Sequence, residues 1–159
     1  MRWAFKLPGR LLFVARSEGI DQSKFWRDAF AKQRCIIPAD SFFEWKDMPK
    51  GQRKAKYEFT VPGREPLGMA GIWKLWKNPA TELWERTFAT LTSDANAVMQ
   101  SIHNRQPTIL EPRDYGEYLA DTERPPLHLL RILPDGELRS QLLSEDNILQ
   151  QQPSLFDNY

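Results

Sequence analysis

The 159-residue chain has one cysteine, so Cys35 has no partner for an internal disulfide. Cys35 and the two histidines, His103 and His128, stand far apart and lack zinc-ligand spacing, so neither a metal nor another cofactor is expected. A lone thiol suits the reducing cytoplasm. No apolar run approaches the roughly 18 to 20 residues that span a bilayer. Met1-Arg2-Trp3-Ala4-Phe5 does not lead into a signal-peptide core. The expectation is a cytoplasmic monomer with no membrane contact. An excess of charge is missing too: 22 basic against 21 acidic residues exclude a generally polycationic binder, and any nucleic-acid face has to be local. A polar lead-in is also absent. Trp3, Phe5 and Leu7 alternate from the outset and Leu11 to Arg16 follows at once, so the amino terminus resembles the middle of a domain.

What is present is a packable chain, 41% hydrophobic and with six tryptophans. Its length fits one domain over residues 1–149, followed by a polar tail over 150–159. Leu11 to Arg16 suits a buried strand, and Ser23 is placed to cap a helix over Lys24 to Lys32 whose Phe25, Trp26, Ala29 and Phe30 recur at helical spacing. Cys35 to Ile37 predicts a strand stopped by Pro38, and Phe42 to Lys46 another, before the lysine-rich stretch Asp47 to Lys56. Tyr57, Phe59 and Val61 alternate like a half-buried strand and Pro62-Gly63 turns it. Leu67 to Trp76 and Trp84 to Thr92 predict a hairpin. Asp94 suits the cap of a helix from Ala95 to about Ile102; Thr108 to Leu110 returns to strand; Pro112 opens a helix with Tyr115, Tyr118 and Leu119 on one face. The fold class is α+β: a mixed, mostly antiparallel sheet or barrel-like core with a few short helices.

Two residues stand out chemically. Strand alternation puts Glu44 on the face of Phe42 and sends Phe43 and Trp45 to the other. A carboxylate among rings loses hydration, and its pKa rises toward the range where it exchanges protons near neutrality; the plainer alternative is a strand-edge glutamate in water. His103 follows a short helix and precedes Arg105 by two residues, an arrangement fit for an anionic substrate or, equally, for capping free helix carbonyls.

PADSFFEW (Pro38 to Trp45) resembles the PADGFYEW signature of the SOS response-associated peptidase family, with Ser41 and Phe43 as mild departures. SIHNRQP (Ser101 to Pro107) resembles the family's IHxRMP motif, VARSEG (Val14 to Gly19) its NARxE segment, AGIW (Ala70 to Trp73) its AGLW, and TLTSDAN (Thr90 to Asn96) its TTxAN stretch, all in the family's order. The resemblance implies an abasic-site-processing protein that binds single-stranded DNA and forms and releases a covalent DNA link. In this family the amine and thiol of an N-terminal cysteine trap the sugar aldehyde as a thiazolidine. On the matching positions the resemblance implies an acid/base role for Glu44 and sugar-ring opening for His103. It implies phosphate contacts for Arg16 and Arg105, and Trp45 joins them as a DNA-binding residue. The family's cysteine sits in an MCGR-like segment several dozen residues before NARxE. This chain is expected to be truncated ahead of it, and Arg2 disfavours removal of Met1. Cys35 has no free α-amine and is expected in the core. Val14 replaces the asparagine of NARxE and offers no hydrogen bond. The alternative is therefore a catalytically degenerate module that binds single-stranded DNA or the sliding clamp.

In the tail, Gln152, Leu155 and Phe156 fall within QPSLF, similar to short peptides that dock on the replication sliding clamp; a merely solvated tail is the other reading. A third reading makes Trp26, Trp45, Trp73, Trp76 and Trp84 core residues of a nonfunctional remnant.

Overall fold

The computed structural model describes residues 1–7 and 10–143. In chain order these form β1 (Arg2–Trp3), β2 (Phe5–Leu7), β3 (Arg10–Leu12), β4 (Val14–Arg16), α1 (Arg27–Lys32), β5 (Arg34–Ala39), β6 (Phe42–Lys46) and β7 (Ala55–Thr60). Then follow β8 (Leu67–Lys77), β9 (Trp84–Asp94), α2 (Ala97–Gln100), β10 (Arg105–Pro107), β11 (Ile109–Leu110), α3 (Tyr115–Leu119) and β12 (Arg139–Leu142). The α+β class holds.

The predicted hairpin is the spine. β8 and β9 pair antiparallel from Gly71↔Thr90 to Lys77↔Trp84. β8 also carries β5 and β11, both antiparallel. β9 carries β10 antiparallel, and β1 and β4 parallel. The result is a mixed seven-stranded sheet, open rather than closed into a barrel. A smaller antiparallel sheet runs β12-β7-β6, and β2 pairs with β3.

Because side chains alternate along a strand, each face of the large sheet has its own apolar set. One face sends Ala15, Ala70, Ile72, Ala89, Leu91 and Leu110 against Phe30 of α1 and Tyr118 of α3. The other sends Met69 and Ile109 against Phe59 of the small sheet, together with Met99, Leu133 and Leu138. Gly71 lies on this second face, where a Cβ would come within 2.6 Å of Ile37 Cδ1.

Several expectations are corrected. Leu11 to Arg16 is two strands, because the Phe13 carbonyl between them accepts from Trp3 Nε1 at 3.0 Å and Thr90 N at 3.1 Å. α1 begins three residues later than predicted: Ser23 Oγ accepts from Trp26 N at 3.2 Å and closes a turn ahead of the helix. Pro38 does not stop its strand, since among the described residues β5 is an edge paired only with β8 and tolerates a missing N–H. The helix read as capped by Asp94 is the four-residue α2, capped by Asn96, whose Oδ1 accepts from Met99 N at 3.0 Å. Arg105–Pro107 and Arg139–Leu142, for which the sequence predicts no element, are both strands. Tyr118 is fully buried but Leu119 is 51% exposed, so they do not share the packed face. Of the five tryptophans read as core, Trp45 and Trp84 are exposed and Trp73 and Trp76 half-buried, whereas the half-buried Trp26 packs against the first core.

Arg34 joins the helical layer to the sheet. Its buried guanidinium donates to Tyr118 O at 2.6 Å, Phe30 O at 2.7 Å and Ala31 O at 2.5 Å, and also to Ala120 O. These carbonyls end α1 and α3, where no intrahelical donor remains. Replacing Arg34 with Met keeps much of the stem and strands the carbonyls; the expected loss is about 2–4 kcal/mol in urea unfolding.

Candidate active site

Glu44 lies in β6 opposite Tyr57 of β7, one row beyond Phe42, which faces Phe59. The two phenylalanine rings stack at 5.1 Å and define the inner face of the small sheet. Glu44 shares that face and is half-buried. Lost hydration raises its pKa, and the nearby His103 charge partly opposes the rise. The alternation read from the sequence is the one observed. Phe43 and Trp45 occupy the outer face with Lys56 Nζ 4.0 Å from the Phe43 ring centre and 5.6 Å from that of Trp45. Trp45 is 46% exposed and therefore stands across the strand from Glu44.

His103 follows α2 and donates its main-chain N–H to Met99 O at 2.9 Å. The ring turns back on its own loop: Nδ1 is 3.0 Å from Arg105 O and 3.1 Å from Arg105 N. Asp47, in the lysine-rich loop, is also close enough for His103 to lower its pKa, although the main cause is the Lys54 ammonium, bonded at 2.6 Å.

Arg16 pairs in register with Thr92, and Thr92 with Pro107 on its other side. Arg105 pairs with Asp94, two residues along. Arg16 and Arg105 therefore face the same way from opposite sides of β9. Their surroundings differ. Arg16 is exposed. Arg105 is gripped by Glu18 (NH1–Oε1 3.0 Å, NH2–Oε2 2.7 Å), by Asp94 (NH1–Oδ1 2.5 Å) and by Thr92 O (NH2–O 2.5 Å). Hydrogen bonding from Arg105 is the main reason that Glu18 is a stronger acid than usual. Two carboxylates against one guanidinium leave this node with a net charge near −1.

Glu18 and Asp94 were not singled out from the sequence as site residues. Both lie inside segments with family resemblance, and the usable signal was acidic side chains available to a nearby arginine. Val14 lies in the row of Thr90, 50% exposed. Cys35 is buried and its thiol is pushed up to about 11, which opposes thiolate chemistry. Among the described residues, no three His, Cys, Asp or Glu side chains gather as a metal set. The arrangement offers a weakened acid within electrostatic reach of an imidazole and, on the large sheet, the exposed Arg16.

Residues 2–146 match the family model described as SOS response associated peptidase. Abasic site processing protein YoqW of Bacillus subtilis is 30% identical over 142 residues, covering 84% of this chain and 62% of the relative. Abasic site processing protein HMCES of Xenopus tropicalis is 25% identical over 114 residues, 60% of this chain and 33% of that one. A solved protein from Bacteroides thetaiotaomicron shares the fold with a TM-score of 0.75 at 27% identity, over 88% of this chain and 61% of its own. The chain thus spans about three fifths of the length of YoqW and of the Bacteroides thetaiotaomicron protein, and a third of HMCES.

A raised carboxyl pKa means that the folded state holds the Glu44 proton more tightly than the unfolded chain does. Its stabilising effect is complete below the ordinary carboxylate range and is lost as pH rises through the folded pKa. Glu44→Gln is therefore expected to melt higher than the parent at pH 7, with the gap closing below about pH 4; thermal unfolding at both pH values checks this.

Proposed function

The chain belongs to the SOS response associated peptidase family, and on that premise we propose that it processes abasic sites in single-stranded DNA. The observation that carries the reading is the half-buried Glu44, a weakened acid, within electrostatic reach of His103. An abasic sugar in its ring-opened form presents an aldehyde. A primary amine adds to that carbon, the carbonyl electron pair moves to oxygen, and the oxygen takes a proton. The resulting hydroxyl leaves as water once an acid protonates it, and the nitrogen lone pair closes the C=N bond. Protonated Glu44 serves as that acid, its carboxylate takes a proton back from the amine, and His103 assists ring opening. Burial moves Glu44 in the direction this role requires, by disfavouring its charged form.

Arg16 is the phosphate contact, being exposed on the same sheet face. Arg105 has its terminal N–H groups committed to Glu18, Asp94 and Thr92, so it meets a phosphate only by exchanging one of them. Trp45 offers an exposed ring to a base of a strand crossing β6. The protein acts as a cytoplasmic monomer in one domain over residues 1–149.

A second reading, a binding module without covalent chemistry, is favoured by Val14, whose apolar, 50% exposed side chain stands where the resemblance implies a hydrogen-bonding asparagine. A single strand bearing one abasic site separates the two. Covalent capture predicts an adduct trapped by borohydride that falls by about 100-fold with Glu44→Gln or His103→Ala. Salt-sensitive binding without an adduct would favour the module.

Sliding-clamp docking by Gln152, Leu155 and Phe156 lies outside the described residues and is proposed from sequence alone. Deleting residues 152–159 is expected to abolish retention on immobilised clamp; unchanged retention would reject it.

A further inference from the structure

The contacts of His103 Nδ1 are both with one residue, the N–H and the carbonyl of Arg105. A neutral ring accepts from that N–H; a protonated ring donates to that carbonyl. The main chain of Arg105 therefore serves both charge states of the imidazole, as a proton-exchanging group requires. These main-chain groups are free to do so because, among the described residues, β10 pairs only with β9, leaving its other edge outside the ladder.

A three-residue edge strand is weakly held by its ladder alone. Arg105 is anchored instead through its side chain. Glu18 meets the guanidinium fork on fork, one oxygen on each terminal nitrogen, across a sequence separation of 87 residues. Glu18 Oε1 also accepts from Asp94 N at 3.0 Å, tying the same carboxylate to the end of β9. Asp94 reaches only one nitrogen of Arg105 and its side chain is 72% exposed, against 47% for Glu18. Glu18 is thus the stronger of the two grips.

We infer that Glu18 is a positioning residue for His103, acting through Arg105 to hold the peptide on which the imidazole rests. The inference rests on the reading of Glu44 and His103 as a proton-handling pair.

Glu18→Gln keeps the size of the side chain and turns one acceptor into a donor against the guanidinium. Arg105→Lys keeps the charge and loses the fork. The chain has only two histidines, so an imidazole nitrogen–proton NMR spectrum, assigned with His128→Gln, follows each ring directly. Both variants are expected to change the tautomer ratio and titration midpoint of His103 and to leave His128 unmoved. In single-turnover borohydride trapping, the rate is expected to fall about ten-fold in both variants, and in Glu18→Gln half-saturating DNA changes less than about two-fold. The double variant should lose no more than either single one, because both remove the same contact.

An unchanged His103 spectrum and trapping rate in Glu18→Gln, or losses that multiply in the double variant, would overturn the assignment. If Glu18→Gln fails to fold, Arg105→Lys decides by the same readouts. If the parent yields no adduct, the proposed chemistry fails, while the His103 spectrum still decides whether Glu18 positions the ring.

Discussion

The arginine-bearing face of the candidate site depends on the register of β9. This strand is hydrogen-bonded on both sides over its C-terminal half, to β4 on one edge and to β8 and then β10 on the other. Thr92 is the pivot, opposite Arg16 on one side and Pro107 on the other. A slip of one residue would turn Arg16 and Arg105 to the face filled by Ala15 and Leu91 and bring those apolar groups to the site. The two apolar sets resist such a slip, because each face of the sheet packs against a different layer. Hydrophobic alternation therefore sets the chemical face as firmly as it sets the core.

The same logic explains why the site sits between two sheets. The small sheet covers the Met69 and Ile109 end of the large one, and Phe42 stacked on Phe59 closes that contact. Glu44 is the next residue on the inner face of β6, so it stands where the dry interface gives way to polar groups. Its loss of hydration follows from packing. Arg34 contributes from the opposite layer by holding the ends of α1 and α3 over the first core, which keeps β5, and through it the start of the signature segment, in place.

Much of this was legible in the sequence. The β8–β9 hairpin, β6 and β7 follow from alternation and turn chemistry, and the phase of Phe42, Phe43, Glu44 and Trp45 followed from alternation alone. What was not legible depended on long-range pairing. Arg105–Pro107 is a strand because the end of β9 offers it an edge, and three residues carry no period of their own. Pro38 read as a stop because its edge position could not be known. Asp94 read as a helix cap because capping is a local signal, whereas its actual partner, Arg105, lies 11 residues on. Five tryptophans read as core because ring size suggests burial, yet Trp45 and Trp84 are more than two-fifths exposed, while Trp26 does pack against the first core.

The two glutamates at the site show how environment divides one side-chain type into two roles. Glu18 meets a guanidinium and its acidity is strengthened, so it stays ionised and serves as a fixed counter-charge. Glu44 meets aromatic packing and lost hydration weakens its acidity, so its carboxyl holds a proton to higher pH than a solvated one does. An exchange of these surroundings would fail on both sides: an ionised group in the dry interface would be unstable, and a neutral one opposite Arg105 would release the loop carrying His103. The negative balance around Arg105 follows from the same division. It leaves Arg16, on the other side of β9 from Arg105, as an exposed arginine of the same face, so the two arginines meet different surroundings.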